Sequence, residues 1–250
     1  MDDSAFECEL VEKQLPQVAV LQLDGKISSY RNKLSGIGFF DALTFSEEDR
    51  KRSGMYVQAK ERKNMLQSAS SLEDYLVDLQ LQAEIGTPGK KEIPRVSQLT
   101  QKTNQFNLTT YRYTEGEIQN FVESVDSEVY FLRLSDRISD LGIVGVVIVK
   151  FEEDYAEIDS FLFSCRALGR GVEDALLCFV VNQVIEKGKK RIEGTYLPTQ
   201  KNSQVAYFYQ KNGFQLIKEK EGSTHWSFSI APEMNSQRTY PKWITVKHLS

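Results

Sequence analysis

A loop containing two glycines joins an apolar strand to an apolar helix, and it restricts the possible folds more than any other part of the sequence. The alternation over residues 156–164 predicts a strand, and residues 172–187 predict a helix that is apolar on nearly every side. In the loop between them, side chains at Gly169 and Gly171 would obstruct a ligand approaching the backbone. The free N–H groups and the dipole at the helix start favour an anion. The loop is therefore a candidate pyrophosphate-binding turn, although an ordinary strand-to-helix loop also uses glycines for its geometry.

Two positive charges accompany the glycines of this turn. Arg166 and Arg170 can add charge-assisted hydrogen bonds to a phosphate. The predicted cofactor-binding residues of the turn are Arg166, Leu168, Gly169, Arg170, Gly171 and Val172.

A second pattern follows on the next predicted helix and the strand after it. Asn202, Ala206 and Tyr209 are spaced at i, i+4 and i+7, so a helix would place them along one stripe. Gly213 can supply the positive φ that ends this helix, and Phe214 then re-enters the core. This N-x(3)-A-x(2)-Y-x(3)-G-F pattern resembles that of GNAT acetyltransferases. Together with the glycine turn, it predicts a GNAT domain.

The predicted elements follow the order of a GNAT domain. We expect an α/β fold with a mixed, mostly antiparallel sheet. The predicted helices are 96–103, 115–123, 172–187 and 203–211, and the predicted strands are 128–134, 143–151, 156–164, 191–196, 215–229 and 243–248.

Three regions can be separated along the chain. Residues 91–250 form the predicted GNAT-like acyltransferase domain. Residues 41–90 are predicted to be a helical connector, with a capping-box pattern at Ser46 and a second helix whose apolar face runs from Leu72 to Leu79. Residues 1–40 predict one αβ unit, a helix 6–15 ended by Pro16 and a strand 18–23. Such a unit is too small to bury a core alone, which suggests a remnant of a larger domain.

Composition excludes several classes of function. The net charge of −4, with acids and bases interspersed, argues against nucleic-acid binding, and no apolar run is long enough to span a membrane. The start of the chain has no signal-peptide pattern. Three widely spaced cysteines indicate free thiols in a reducing cytoplasm rather than disulfides or a zinc site, and with only two histidines we expect no metal.

Beyond the GNAT pattern, the chain resembles FkbH-like proteins over nearly its whole length. The residues that carry this resemblance lie at 95–109, 164–173 and 198–202, with further similarity at 47–56. That family joins a haloacid-dehalogenase (HAD) phosphatase-like domain to a C-terminal GNAT-like domain. The HAD domain loads a glyceryl group from a phosphorylated glycerate onto an acyl carrier protein, through an aspartate and a cysteine.

Two departures from the family pattern limit what the resemblance implies. No two aspartates are two residues apart, so the D-x-D-x-T nucleophile motif of HAD domains is missing. Residues 1–40 therefore resemble only the end of a HAD domain, and we expect no phosphoryl chemistry from this polypeptide alone. At 138–139, Ile-Ser stands where the family usually has an aromatic–glycine pair.

The resemblance to GNAT enzymes implies roles for individual residues, each with a structural alternative. Tyr209 is the candidate general acid for a departing thiolate, or a helix tyrosine that packs on the next strand. Asn202 would orient a pantetheine arm, or it caps the helix that it starts. Glu157 and Asp159 share a strand face and are candidate general bases, or simply solvated. Cys165 is either a nucleophile beside the turn or a small buried hydrophobe.

An amide-rich run from Gln98 to Asn107 lies where GNAT folds build the acceptor-binding wall. It predicts a contact with a polar acceptor or a carrier-protein arm, and loop capping would explain the same residues.

Two functions from different classes remain open. The first is an acyltransferase that binds acetyl-CoA, another acyl-CoA or the phosphopantetheine of an acyl carrier protein, and transfers the acyl group to a small polar acceptor. The second is a non-catalytic GNAT-like module that docks a carrier-protein arm for a HAD domain. Both require open amides at residues 169–173 and a groove between the two neighbouring strands. An oligomer is compatible with either.

Overall fold

The computed structural model describes residues 2–15, 18–23, 30, 47–230 and 238–249, with the backbone alone for 47–56. The chain divides into two compact units, Met1–Val57 and Gln58–Ser250. The predicted capping box at Ser46 and the helix end at Pro16 lie outside the described residues.

The first unit contains helix α1 (Ala5–Gln14). Ser4 caps it, because its Oγ accepts a hydrogen bond from the N–H of Glu7 (3.3 Å). The predicted strand 18–23 is reduced to one parallel bridge between Asp2 and Gln22. The assignment of residues 1–40 to a HAD-like domain stays a prediction.

The second unit is built on a nine-stranded mixed sheet flanked by helices. Its strand order is β7-β8-β6-β5-β4-β3-β1-β9, with β2 paired to β5. The strands are β1 (Leu81–Gly86), β2 (Phe106–Asn107), β3 (Ser127–Ser135), β4 (Asp140–Phe151), β5 (Tyr155–Phe163), β6 (Arg191–Tyr196), β7 (Gln215–Lys220), β8 (Ser223–Ser229) and β9 (Ile244–His248). Helix α2 (Glu47–Ser68) begins in the first unit and ends in the second. The other helices of the second unit are α3 (Leu72–Asp78), α4 (Ile93–Lys102), α5 (Glu115–Glu123), α6 (Val172–Glu186) and α7 (Phe208–Lys211).

Two apolar layers cover the two faces of the sheet. Helices α4 and α5 pack through Val96, Leu99 and Ile118 onto residues such as Phe131 and Ile148. Helix α6 covers the opposite face. It is apolar nearly all round because ten of its residues are buried, and the segment at Arg238 packs on it at Cys178 and Asn182. The predicted α/β class with a mixed sheet is confirmed, and by its element order the domain is GNAT-like.

An extra residue in β5 sets which side chains face which layer. Ile148 of β4 pairs with Ser160 and Val149 with Ile158, so Asp159 is the additional residue of a β-bulge. The bulge shifts the alternation. Ile158 and Phe161 therefore both join the core under α6, whereas Leu162 joins the core under α4 and α5.

Two sequence predictions about the sheet are corrected, and the predicted last strand is confirmed. Strand β1 lies inside the region predicted to be a helical connector. The single strand predicted over 215–229 is a hairpin, because Glu221 (φ 53°) and Gly222 (φ 80°) form a tight turn between β7 and β8. The last strand, β9, runs parallel to β1 at the opposite edge of the sheet.

Candidate functional site

The parallel strands β5 and β6 are paired over a short distance and then diverge. Their ladder ends at Ile158 opposite Gly194. This divergence is where the sequence predicted a groove between neighbouring strands.

The chain itself fills this divergence with residues 106–108. Phe106 and Asn107 form strand β2 and pair with Phe163 and Leu162 of β5. The N–H of Leu108 donates to the carbonyl oxygen of Phe161 (3.1 Å), and the N–H of Leu197 donates to that of Leu108 (2.8 Å). We call residues 106–108 the insert. Because it is hydrogen-bonded on both sides, the insert occupies the groove that the sequence predicted between these two strands.

Asn202 fastens the insert to the loop after β6. Its side chain is fully buried, and its Nδ2 donates to the carbonyl oxygens of Asn107 and Leu197 (both 2.9 Å). Its Oδ1 accepts from the N–H of Thr199 (2.6 Å). The structure gives Asn202 no side-chain capping bond to the 3₁₀ turn at Ser203–Val205. The amide therefore acts as a clamp on the insert.

The backbone of the glycine turn favours glycine at both of its glycine positions. Gly169 (φ 76°) and Gly171 (φ 74°) are both left-handed, and α6 starts directly after them. The indole of Trp243 covers one side of the turn, since its Nε1 donates to the carbonyl oxygen of Arg170 (2.9 Å). A Cβ on Gly171 would lie 3.2 Å from the same indole. The turn is thus partly closed by the C-terminal segment.

The two arginines of the turn point to different partners. The guanidinium of Arg170 is turned inward, 3.5 Å from the carboxylate of Asp136. Arg62 makes two hydrogen bonds to the same carboxylate (2.8 and 2.9 Å). Arg166 donates through Nε to the Oγ of Ser164 (3.4 Å), and it is half-buried.

The remaining predicted residues of the turn are mainly apolar contacts. Val172 is fully buried, and Leu168 packs against the core under α6. Next to them, the side chain of Glu173 lies in the first turn of α6. Burial raises the pKa of this carboxyl, and its Oε2 has no hydrogen-bond partner within the described ranges. An acidic group of the chain therefore already sits at the predicted anion site.

Tyr209 lies at the point where β5 and β6 diverge, in the core under α6. Its side chain is 1% exposed, and its hydroxyl has no hydrogen-bond partner among the residues that the structure describes. Burial, and to a smaller extent the charge of Glu157, raises its pKa above the ordinary value. The 3₁₀ turn and α7 are separate, so Asn202 and Tyr209 do not share one continuous helical stripe.

Asp159 and Glu157 occupy different environments. Asp159 is buried, paired with the Nζ of Lys150 (2.5 Å), and accepts a hydrogen bond from the hydroxyl of Tyr113 (2.7 Å). Although burial opposes the charged form, this contact raises the pKa of Lys150. Glu157 is half-buried on β5. The catalytic roles of both carboxylates stay predictions.

An open pocket of about 720 Å³ lies at the carboxyl end of β5, next to the insert. We call it the basic pocket, because its lining includes three cationic side chains and, within the described part of the chain, no carboxylate. It is lined by Arg95, Gln98, Leu99, Lys102, Thr103, Asn104, Gln105, Phe163, Ser164, Cys165, Gln200 and Lys201.

The pocket unites residues that the sequence singled out separately. The amide-rich run supplies one wall, and Cys165 is exposed at its edge rather than buried as a small hydrophobe. Arg95, Gln200 and Lys201 carried no predicted role, since only the fold brings them together. The glycine turn, Tyr209 and Asn202 are not part of the lining.

Solved structures of GNAT acetyltransferases are similar to this chain at low sequence identity. The ribosomal-protein-S18-alanine N-acetyltransferase from Escherichia coli is 13% identical, and the match covers 60% of this chain and 97% of that enzyme with a TM-score of 0.46. A putative GNAT acetyltransferase from Desulfovibrio desulfuricans is 14% identical, with 60% and 99% covered and a TM-score of 0.48. A GNAT family acetyltransferase from Elizabethkingia anophelis, solved with acetyl-CoA bound, is 14% identical, with 47% and 84% covered and a TM-score of 0.37.

No protein-family model and no curated protein sequence matches the chain. Within the described ranges, every helix is too short or too polar to cross a bilayer. The same residues contain no group of three or more His, Cys, Asp or Glu side chains placed to hold a metal.

Proposed function

We propose that this chain is the C-terminal, GNAT-like part of an FkbH-like protein, and that it takes part in acyl transfer by docking a phosphopantetheine-bearing thioester. The observation that carries the proposal is the open basic pocket at the carboxyl end of β5, lined by three cations. A phosphorylated arm needs positive charge and hydrogen-bond donors, and this concave surface supplies both. Acyl-CoA and an acyl carrier protein are the two candidate donors of such an arm.

Docking without transfer chemistry is the version that the geometry favours. The insert blocks the divergence of β5 and β6 through hydrogen bonds to both sides. The side chain of Tyr209 is fully buried against Gly194, and a general acid has to reach the atom that it protonates. In this version the domain presents the arm to chemistry performed elsewhere.

GNAT-type acyl transfer is the second candidate, and one observation favours it. The hydroxyl of Tyr209 is buried at the divergence without a hydrogen-bond partner within the described residues. Burying a polar group unpaired costs free energy, so its retention there is consistent with a catalytic use. This version requires the insert to move aside when acyl-CoA binds.

Calorimetric titration of the full chain with acetyl-CoA and with a phosphopantetheine-bearing carrier protein tests the proposal. We expect the arm-bearing ligands to bind, and chromatography of the reaction mixture to show no free CoA beyond the uncatalysed rate. Turnover that Tyr209→Phe lowers while binding persists would instead establish the acyltransferase version. If neither ligand binds, the proposed function is wrong.

A further inference from the structure

The basic pocket contains positive charge that the fold does not use. Lys102 and Lys201 are both exposed, and neither forms an ion pair with another described residue. They approach the pocket from the end of α4 and from the loop after β6, so their charges converge only through the tertiary fold. Like charges facing one cavity repel each other, and an anion in that cavity removes the repulsion.

Hydrogen-bond donors accompany these charges. Gln98, Gln105 and Gln200 bring side-chain amides to the lining, and Ser164 brings a hydroxyl. A phosphate monoester carries close to two negative charges at neutral pH, and the diester that joins the arm to a carrier protein carries one. Either form offers several acceptor oxygens to these donors.

Hydrogen bonds from outside the pocket fix residues 101–104, which form part of its wall. The guanidinium of Arg112 donates to the carbonyl oxygens of Gln101 (2.6 Å) and Thr103 (3.3 Å), and it also contacts the side-chain oxygen of Asn104. On the inner side, the Nδ2 of Asn107 donates to the carbonyl oxygen of Thr103 (3.2 Å). Because these hydrogen bonds fix the backbone of this part of the wall before a ligand arrives, little backbone entropy is lost there on binding.

We propose that the basic pocket binds the phosphate group of its ligand, with Lys102 and Lys201 as the principal charged contacts. This inference deepens the proposed function, and it rests on that function only for the source of the phosphate. The source is either the 4′-phosphopantetheine arm or a free phosphorylated small molecule that acts as acceptor. The glycine turn offers an anion less access on the side of Gly171, since Trp243 covers that residue.

Cys165 provides a readout that does not depend on activity. It is exposed in the lining of the pocket, whereas Cys8 and Cys178 are buried. The rate of alkylation of Cys165 by iodoacetamide, followed by peptide mass spectrometry, therefore reports whether the pocket is occupied. The ligands are S-methyl-4′-phosphopantetheine, S-methyl-pantetheine as its phosphate-free match, inorganic phosphate and glycerol 3-phosphate.

We expect S-methyl-4′-phosphopantetheine to protect Cys165 and S-methyl-pantetheine not to protect it. Lys102→Gln and Lys201→Gln should each raise the half-protecting concentration about tenfold, a loss of about 1.4 kcal/mol of binding free energy. Lys218→Gln is the matched control, because Lys218 is exposed on β7, outside the pocket lining. All three residues are exposed, so the thermal midpoints should be unchanged.

The outcomes separate the inference from the proposed function. Protection by glycerol 3-phosphate or inorganic phosphate equal to that by the phosphorylated arm would assign a small phosphorylated ligand, even if no thioester binds. Equal protection by the two S-methyl arms, an absence of protection by every phosphate compound, or insensitivity to both lysine substitutions would each overturn the inference.

Discussion

The phenol oxygen of Tyr209 rests directly on the backbone of Gly194, so closely that a Cβ placed on this glycine would overlap it. Gly194 is the last residue of β6 that pairs with β5 before the two strands diverge. The tyrosine therefore fixes the residue type at the point where the sheet opens.

Replacing Gly194 with alanine should destabilise the fold. The added methyl group has to displace the ring of Tyr209 from a fully packed core, which costs about 1–3 kcal/mol. Gly116→Ala is the matched control, because no described atom lies within 4 Å of the Cβ position there. Chemical denaturation should give a lower free energy of unfolding for the first variant alone. Equal stability of the two variants would show that the core around Gly194 accommodates the added methyl group, and it would contradict the prediction.

Two tyrosine-to-phenylalanine substitutions should have opposite effects on stability. Tyr209→Phe removes a buried hydroxyl that has no partner within the described ranges, so stability should stay the same or rise by up to about 1 kcal/mol. Tyr113→Phe removes the hydrogen bond to Asp159 and should cost about 1.5–3 kcal/mol, since the acceptor is charged. Urea unfolding of both variants measures the difference, and a destabilised Tyr209→Phe would mean that its hydroxyl is paired.

The clamp formed by Asn202 should hold the insert in place. Asn202→Ala leaves the buried carbonyl oxygen of Asn107, the half-buried one of Leu197 and the N–H of Thr199 without this partner, and we expect a loss of about 1–3 kcal/mol. The amide of Leu108 should then exchange its hydrogen faster, because the insert opens more often. Asn120→Ala, at an exposed position of α5, is the control and should change neither quantity. Unaltered exchange at Leu108 in the first variant would contradict the clamp.

The ion pair between Arg62 and Asp136 should stabilise the fold only above acidic pH. Burial alone would raise the pKa of Asp136, but the hydrogen bonds and charge of Arg62 lower it below the ordinary value of 3.8. Because the pKa is lower in the folded state, the stabilisation is complete above the unfolded pKa and is lost as the pH falls through the folded pKa. Arg62→Met should cost about 3 kcal/mol at pH 7, the low end for a buried pair, since Arg170 remains nearby.

Unfolding of this variant at pH 7 and below pH 3.8 checks the sign. The deficit relative to the unmodified chain should shrink as the pH falls. Lys211→Met, which removes an exposed pair with Asp174, is the control and should cost less than about 1 kcal/mol at any pH. A deficit for Arg62→Met that does not depend on pH would contradict the assignment.

Local signals explain which elements could be predicted from the sequence. Helix α5 begins at its predicted residue because Thr114 and Glu117 form a reciprocal capping box. Strand β6 has its predicted bounds because its alternation is bounded by turn residues. The positive φ predicted for Gly213 at the end of its helix is also present (81°), since a glycine at this position can take the left-handed conformation without steric cost.

The missed features depend on contacts between distant parts of the chain. Strand β1 is only six residues long, and it becomes a strand by pairing with β3 and β9. The insert is three residues long, and its hydrogen-bond partners lie on β5 and directly after β6. No local pattern marks such segments, because their hydrogen bonds exist only after the sheet has assembled. One wall of the basic pocket could be predicted from the sequence, as the amide-rich run. The contribution of Lys201 could not, because only the fold brings it next to that run.

The indole of Trp243, which covers the glycine turn, allows ligand binding at the turn to be followed by tryptophan fluorescence. Trp243 is half-buried over Gly171, whereas Trp226, the other tryptophan, is 8% exposed within the sheet. A ligand that reached the backbone at Gly171 would have to push the Trp243 ring into water, which would shift its emission to the red and leave that of Trp226 steady. The chain thus carries a built-in fluorophore at the turn, with a second one as its internal reference.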